Sequence, residues 1–332
     1  MTLALVGAGF AGSIHAQAWA GIEDARVATV VDPDLARGEA LAGRLGSRWT
    51  TTIEEALADA EVDAVDVCAP TALHAELTVA AAEAGRHVLC EKPIALDLAG
   101  ADRAIDACRR AGVALMVGHV LRFWPEYEFL RGLLCDGSLG RLRSLTCSRL
   151  VQAPTWTAGD WLLDPGQSLG VAGEVMIHDL DFLTSNFGRP RAVSATALRD
   201  PAGWGHMQAM LRYDGVLASA EAGWGSPPEQ PFAAGFRAVF EGGILEYDSR
   251  SSPTLSAKGA HIAPLGNTGG ATKGGPWSFD AVGYARELEY FVRCVCEEAE
   301  PNRCPPADAR ESLALAIAAI ESAESGAEVR FL

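Results

Sequence analysis

The chain has 332 residues, 49% of them hydrophobic and 21% charged, the balance of an ordinary globular protein with room for about two domains. A net charge of −16 argues against nucleic acid or an anionic membrane as partner. The longest plain apolar run, Leu313 to Ile320, is too short to span a bilayer, and the first strand begins at once, so no secretory leader and a cytoplasmic location are expected.

Leu3 to Val6 is an uncharged apolar run that breaks into Gly7-Ala8-Gly9-Phe10-Ala11-Gly12, with a helix-like segment from Ser13 to Ala20. Strand, glycine turn and helix start, in that order, form a dinucleotide-binding fingerprint. Gly7 allows the tight turn, Gly9 lets backbone approach a pyrophosphate, and Gly12 lets helix pack on strand. Asp32 closes the next apolar run, 20 residues beyond Gly12, where a carboxylate accepts hydrogen bonds from the adenosine ribose. Ala64–Cys68, His87–Cys90 and Val113–Val117 read as further buried strands. Helices fall between them, one closed by Gly85 and one opened by Asp97 and closed by Gly112. Repeated βα units of this kind predict a parallel, doubly wound sheet.

The pattern changes near Pro125. A helix near Tyr127 to Leu134 precedes strand-like Leu142–Val151, an irregular Trp-, Pro- and Gly-rich stretch to Gly173, and a helix from about Glu174 to Phe187. Apolar residues alternate from Met207 to Tyr213 and from Val216 to Ala222 around Asp214-Gly215, a strong two-residue hairpin signal. Phe236–Phe240 and Ile244–Tyr247 predict a second hairpin, Ser249 to Pro276 a long loop, and Ala281–Glu298 and Pro306–Ser325 two closing helices. The expected class is therefore α/β: a nucleotide-binding domain over 1–122, then an α+β domain with a large, mostly antiparallel open sheet over 123–332. The eight cysteines are scattered except for Cys294, Cys296 and Cys304, which lack a CxxC pair or a partnered His. Reduced thiols and no metal site are expected.

Two constellations carry chemistry. Lys92 leaves the fourth strand in Glu91-Lys92-Pro93, at the end that faces the crevice of a doubly wound sheet. Glu174, His178 and Asp181 stand at i, i+4 and i+7 of a helix, which places an imidazole between carboxylates on one face. Trp156, Asp160 and Trp161, just upstream, either wall a polyol pocket or serve as aromatics in an irregular segment.

Together these residues resemble the glucose–fructose oxidoreductase / inositol dehydrogenase / MocA (Gfo/Idh/MocA) family over essentially the whole chain. The carriers are the glycine loop with His15, Ala69-Pro70-Thr71 with His74, Glu91-Lys92-Pro93, Gly118 with Arg122-Phe123 and Pro125, and His178-Asp179-Leu180-Asp181. The resemblance implies a Rossmann domain, a C-terminal open-sheet domain, homodimers or homotetramers, and NAD-dependent chemistry on a secondary alcohol of a sugar, cyclitol or related polyol. It implies cofactor contacts from Phe10, Ala11, Ala69, Pro70, His74, Glu91, Lys92 and Arg122, beside Gly7, Gly9, Gly12 and Asp32. It also implies a cis peptide bond before Pro93, and Lys92 and His178 at the reacting carbon. Glu174 departs from the pattern, because inositol-dehydrogenase-like members carry Asp there. We assign His178 as base, Lys92 as the cation that stabilises alkoxide, and Glu174 as the group that orients His178 or binds a substrate hydroxyl. Asp32 favours NAD over NADP. The alternatives are an NADPH-dependent carbonyl or imine reductase of the same fold and a non-catalytic nucleotide sensor.

Overall fold

The computed structural model describes residues 1–152, 158–200, 203–226, 232–259 and 281–331. Its first half runs β1 (Thr2–Val6), α1 (Phe10–Trp19), β2 (Arg26–Val31), α2 (Leu35–Leu45), β3 (Arg48–Thr50), α3 (Ile53–Leu57), β4 (Ala64–Val67), α4 (His74–Glu83), β5 (His87–Glu91), α5 (Leu98–Ala111) and β6 (Leu115–Gly118). The six strands pair in parallel in the order β3-β2-β1-β4-β5-β6, so the chain reverses direction across the sheet between β1 and β4. That reversal opens a crevice outside the carboxyl ends of the strands. Strands β1, β4 and β5 are buried almost throughout because helices cover both faces. Local signals behave as expected: Asp97 caps α5 by accepting from the Gly100 N–H at 2.6 Å, and Gly112 ends it in the left-handed region.

The second half begins with α6 (Pro125–Asp136) and β7 (Leu142–Gln152). A π-helical turn, Ala172–Met176, leads directly into α7 (Ile177–Phe187). Then come β8 (Ala192–Asp200), β9 (Gly203–Arg212), β10 (Leu217–Ser226), β11 (Ala233–Phe240), β12 (Gly243–Asp248), β13 (Leu255–Gly259), α8 (Ala281–Cys296), α9 (Pro306–Ser325) and β14 (Val329–Arg330). The eight strands order as β13-β12-β11-β7-β10-β9-β8-β14, antiparallel except for the parallel pair of β7 with β10. Both predicted hairpins form, and Gly215 takes a φ of 82° at the first. Strand β13 lies within the segment expected as loop; it pairs with β12 at the sheet edge, and 260–276 falls outside the described residues. The short strands β3 and β14 carry too few residues to show an alternation. The Lys92–Pro93 peptide is cis, as the resemblance implied.

One expectation about this sheet is corrected. Strands with apolar residues at alternate positions, and helices enough to cover only one face, predict a sheet with an open apolar face. Leu145, Cys147, Met207, Ala209, Ala218, Ala220, Ala222, Phe236 and Ala238 instead turn inward, onto Tyr127, Leu130, Leu180, Leu183, Leu315 and Ala316 of α6, α7 and α9. The open face carries residues such as Thr146, Ser148, Ser194, Gln208, Ser219 and Arg237, with Leu198, Met210 and Leu217 exposed among them. A groove there, lined in part by Thr146, Ser148, Arg237, Glu246 and Ser256, lies on this face of the sheet, not in the crevice. The last helices return to the first domain. Leu288, Phe291 and Val292 of α8 join the core of Ala16 and Trp19, while Ala309 and Leu313 of α9 join that of α5. No helix among the described residues is long and apolar enough to cross a membrane.

Candidate functional site

The glycine loop has the geometry a phosphate requires. Gly7 holds a φ of +102°, and a Cβ there would meet Cys68 O at 2.5 Å; one on Gly12 would meet Gly7 O at 1.8 Å. A Cβ on Gly9 would touch nothing within 4 Å, and no side chain caps α1. Backbone at the start of α1 is therefore open to an anion, where the helix N-terminus favours negative charge. Asp32, buried at the end of β2, accepts from the Ala8 N–H at 2.8 Å, the Asp34 N–H at 2.8 Å and Arg37 Nη2 at 3.1 Å. The carboxylate thus braces the loop from the position where a ribose diol would reach it. These residues fit a dinucleotide.

Further along the same crevice, the strand ends deliver three polar side chains. Lys92 follows β5, Thr71 follows β4 after Ala69-Pro70, and His119 follows β6. Lys92 Nζ donates to the Glu174 carbonyl at 3.0 Å and lies 3.4 Å from its Oε2, while Thr71 Oγ1 donates to Oε1 at 2.9 Å. Glu174 therefore sits on Lys92 and makes no hydrogen bond to His178, contrary to the expectation that it orients the imidazole. The cause is the π-helical turn: at Ala172–Met176 the helix is wider than the α form, so residues four apart no longer stack as i, i+4 neighbours.

Asp181, the other carboxylate expected beside His178, is also committed elsewhere. It accepts from Arg122 Nε and Nη2 at 2.8 and 2.7 Å and from Ser312 at 3.1 Å. Burial opposes its charge, but Arg122 and His119 hold the carboxyl below the usual range. Asp179 binds Arg149 and the Tyr127 hydroxyl. His178 is half-buried with Nδ1 sealed and unpartnered among the described residues. Burial, then the nearby charges of Lys92 and Arg149, push its pKa well below 6.5. A neutral imidazole beside an ammonium, with no carboxylate attached, is poised to accept a proton.

Arg122 joins Asp181 to Asp308 and to the Arg303 carbonyl. His74 lies between the carbonyls of Pro93 and Ala69, and Glu91 accepts from His15 and from the Lys92 N–H. These three buried side chains brace the crevice wall, with Ala69 and Pro70 forming the turn that leads to Thr71. Phe10 and Ala11 open α1. Asp160 is exposed with a φ of 50°, Trp161 is half-buried, and neither hydrogen-bonds to the Lys92 cluster; Trp156 lies outside the described residues. Sequence reasoning passed over His119, whose Nδ1 is buried 3.6 Å from Asp181. Its only signal was its place directly after a parallel strand.

Comparison with known proteins matches both halves of this fold. The GFO_IDH_MocA family model, described as an oxidoreductase family with an NAD-binding Rossmann fold, matches residues 1–119, and a GFO/IDH/MocA C-terminal domain matches 127–246. An inositol 2-dehydrogenase from Rhizobium meliloti is 36% identical over 194 residues, 58% of this chain and 57% of that protein. The chain thus spans little more than half the length of that relative. A D-xylose 1-dehydrogenase (NADP(+)) from Haloferax volcanii is 33% identical over 312 residues, 91% of each chain. The solved structure of GenD2 from gentamicin A biosynthesis, in complex with NAD, superposes with a TM-score of 0.87 at 25% identity, covering 100% of this chain and 96% of that one.

Proposed function

From the premise that this chain belongs to the Gfo/Idh/MocA oxidoreductase family, we propose that it transfers hydride between NAD and a secondary alcohol of a sugar, cyclitol or related polyol. The observation that carries the reading is that Lys92, at the end of β5, is tethered to Glu174 in the turn that leads into α7, close enough for its charge to depress His178. Gly7, Gly9, Gly12 and Asp32 would hold the dinucleotide, with Phe10 and Ala11 at the head of α1. NAD, when bound, supplies the hydride acceptor. Lys92 faces the alcohol oxygen and stabilises the negative charge that develops there. His178, neutral because of its burial, takes the hydroxyl proton. Glu174 and Thr71 set the direction of the Lys92 amine. The reverse reaction uses the same groups with protonated His178 as acid.

The division into a nucleotide-binding domain over 1–122 and a substrate-binding, oligomerising domain over 123–332 is part of this proposal, supported by one sheet in each. So is a homodimer or homotetramer through the open sheet face, where Leu198, Met210 and Leu217 stand exposed. A cytoplasmic location fits eight unpaired cysteines.

Asp32 repels a 2′-phosphate and Arg37 would attract one, yet Arg37 is already paired to Asp32. NAD should therefore exceed NADP by at least about tenfold in kcat/KM, about 1.4 kcal/mol. A spectrophotometric screen of sugars, inositols and sugar acids with both cofactors tests the reading. Turnover of a polyol with NAD supports it; nucleotide binding without turnover of any alcohol supports the sensor instead. Equal kinetics with NAD and NADP would refute the cofactor assignment.

A further inference from the structure

Beneath the nucleotide loop lies a buried group of titratable side chains that the steps above do not use. His15 stands on α1, past the glycine loop. Its Nδ1 lies 2.9 Å from Asp66 Oδ2 on β4, and its Nε2 lies 3.0 Å from Glu91 Oε1 on β5. Asp66 also accepts the Trp19 indole N–H at 2.7 Å, and Glu91 Oε2 accepts the backbone N–H of Lys92 at 3.0 Å. All of these side chains except that of Lys92 are buried. Gly118 leaves room for the carboxylate, since a Cβ there would lie 3.3 Å from Glu91 Oε1.

The two contacts of His15 fall on opposite edges of one ring. A neutral imidazole carries a single N–H, so it can donate to only one of them. Its bare nitrogen would then face a carboxylate at hydrogen-bond distance in a dry interior, where an unmatched polar contact is costly. Both contacts are satisfied only when both nitrogens are protonated. The other groups around the ring do not cancel that charge. Cys68, just past the end of β4, is kept as a thiol by burial. From α8 come Tyr284, its ring centroid 5.5 Å from the imidazole, and Glu287, whose oxygens have no hydrogen-bond partner among the described residues. Burial pushes the Glu287 carboxyl well up, toward its neutral form, and raises the Tyr284 hydroxyl too. Lys92 lies on the far side of Glu91. Burial opposes the charge on His15, but the Asp66 carboxylate outweighs it, and its pKa stands well above 6.5.

We propose that His15 is a positioning residue: held as an imidazolium between Asp66 and Glu91, it fixes Glu91 and through it the backbone of Lys92. The clamp ties the helix under the nucleotide to the cation at the reacting carbon. It rests on the role proposed for Lys92.

The test begins with nitrogen NMR of the full chain labelled at histidine, which needs no substrate. The resonance removed by His15→Gln should keep both ring protons at pH values well beyond the ordinary imidazole value of ~6.5. A ring that titrates near that value, or carries one proton at neutral pH, overturns the proposal. Kinetics then separate positioning from mere structure. His15→Gln and Glu91→Gln should each lower kcat about tenfold to a hundredfold, the worth of one charge-assisted hydrogen bond. NAD affinity of the His15 variant should stay within about threefold, since that buried ring lies past the phosphate-facing loop. Full kcat in either folded variant overturns the positioning role. If His15→Gln does not fold, the singly substituted Glu91 variant and the unsubstituted chain's spectrum still decide. A chain that oxidises no polyol overturns the reading of Lys92, whereas the NMR result bears on His15 alone.

Discussion

Replacing Glu174 with Gln removes one charge from the site while keeping its shape. The carboxylate holds Thr71 at 2.9 Å and Lys92 at 3.4 Å, and its side chain is 6% exposed. At that separation the raw attraction to Lys92 is about 5 kcal/mol for an effective dielectric of about 20. The cost of taking both groups out of water offsets much of it, leaving about 2 kcal/mol, the usual worth of a hydrogen bond to a charged group. A Gln amide can accept from Thr71 or from Lys92, but its N–H₂ then faces the other donor. Lys92 stays tethered by the Glu174 carbonyl at 3.0 Å, which the substitution does not touch. Lys92 should thus remain in the site but aim less well. If Glu174 orients Lys92, kcat falls about 30-fold, the equivalent of 2 kcal/mol, with KM for the polyol and NAD affinity nearly unchanged. Glu174→Asp withdraws the carboxylate by one C–C bond, about 1.5 Å, and should give a smaller loss because the lysine chain can follow. The assay is steady-state kinetics on a polyol found by the screen. A kcat within about twofold of the unsubstituted enzyme refutes the reasoning. A rise in KM at constant kcat would make Glu174 a substrate ligand instead.

The remaining expectations are more direct. Lys92→Ala and His178→Ala should each lower kcat by about 10²–10⁴, the range for a lost acid–base or charge-stabilising group, with NAD affinity changed by no more than a few-fold; near-full activity in both would overturn the site. Burial and Lys92 depress His178, so the acidic limb of the pH–rate profile for alcohol oxidation should lie below the ordinary imidazole value of ~6.5, and a midpoint at or above it counts against His178 as base. The same shift makes the unfolded chain bind a proton that the native chain refuses. Its contribution to stability is therefore complete above about pH 6.5 and is lost as pH falls below that value, which urea unfolding at stepped pH would measure. Light scattering at micromolar concentration should give a dimer or tetramer, and Leu217→Glu, which places a charge on the open face, should shift it toward monomer; a monomeric unsubstituted chain refutes the interface.

Much of the fold was legible because its signals are local. The short, mostly apolar runs that became β1, β2, β4 and β5 predicted buried strands, and Asp97 and Gly112 marked the two ends of one helix. Alternation around Asp214-Gly215 predicted a hairpin with its register. The segment that became β13 was missed because Pro253 and its Ser neighbours look like loop; the edge of β12 recruits it. The open face was misjudged for a related reason. Alternation shows that two faces differ, but not which one the helices cover.

The glycine loop, the strand ends and hence the crevice were set by the sequence alone, since φ preferences, strand burial and helix caps act over a few residues. Lys92 could be placed at the crevice for that reason. Its partners could not. Glu174 meets Lys92 across 82 residues and Thr71 across 103, and His15 reaches Glu91 across 76. A helical wheel put Glu174 beside His178, because it assumes 3.6 residues per turn, and one π-helical turn was enough to undo that pairing. Which carboxylate holds which cation depends on Coulomb interactions and desolvation at angstrom separations. Only the tertiary packing, of the turn Ala172–Met176 against Thr71 and Lys92 and of α1 against β5, decides those separations.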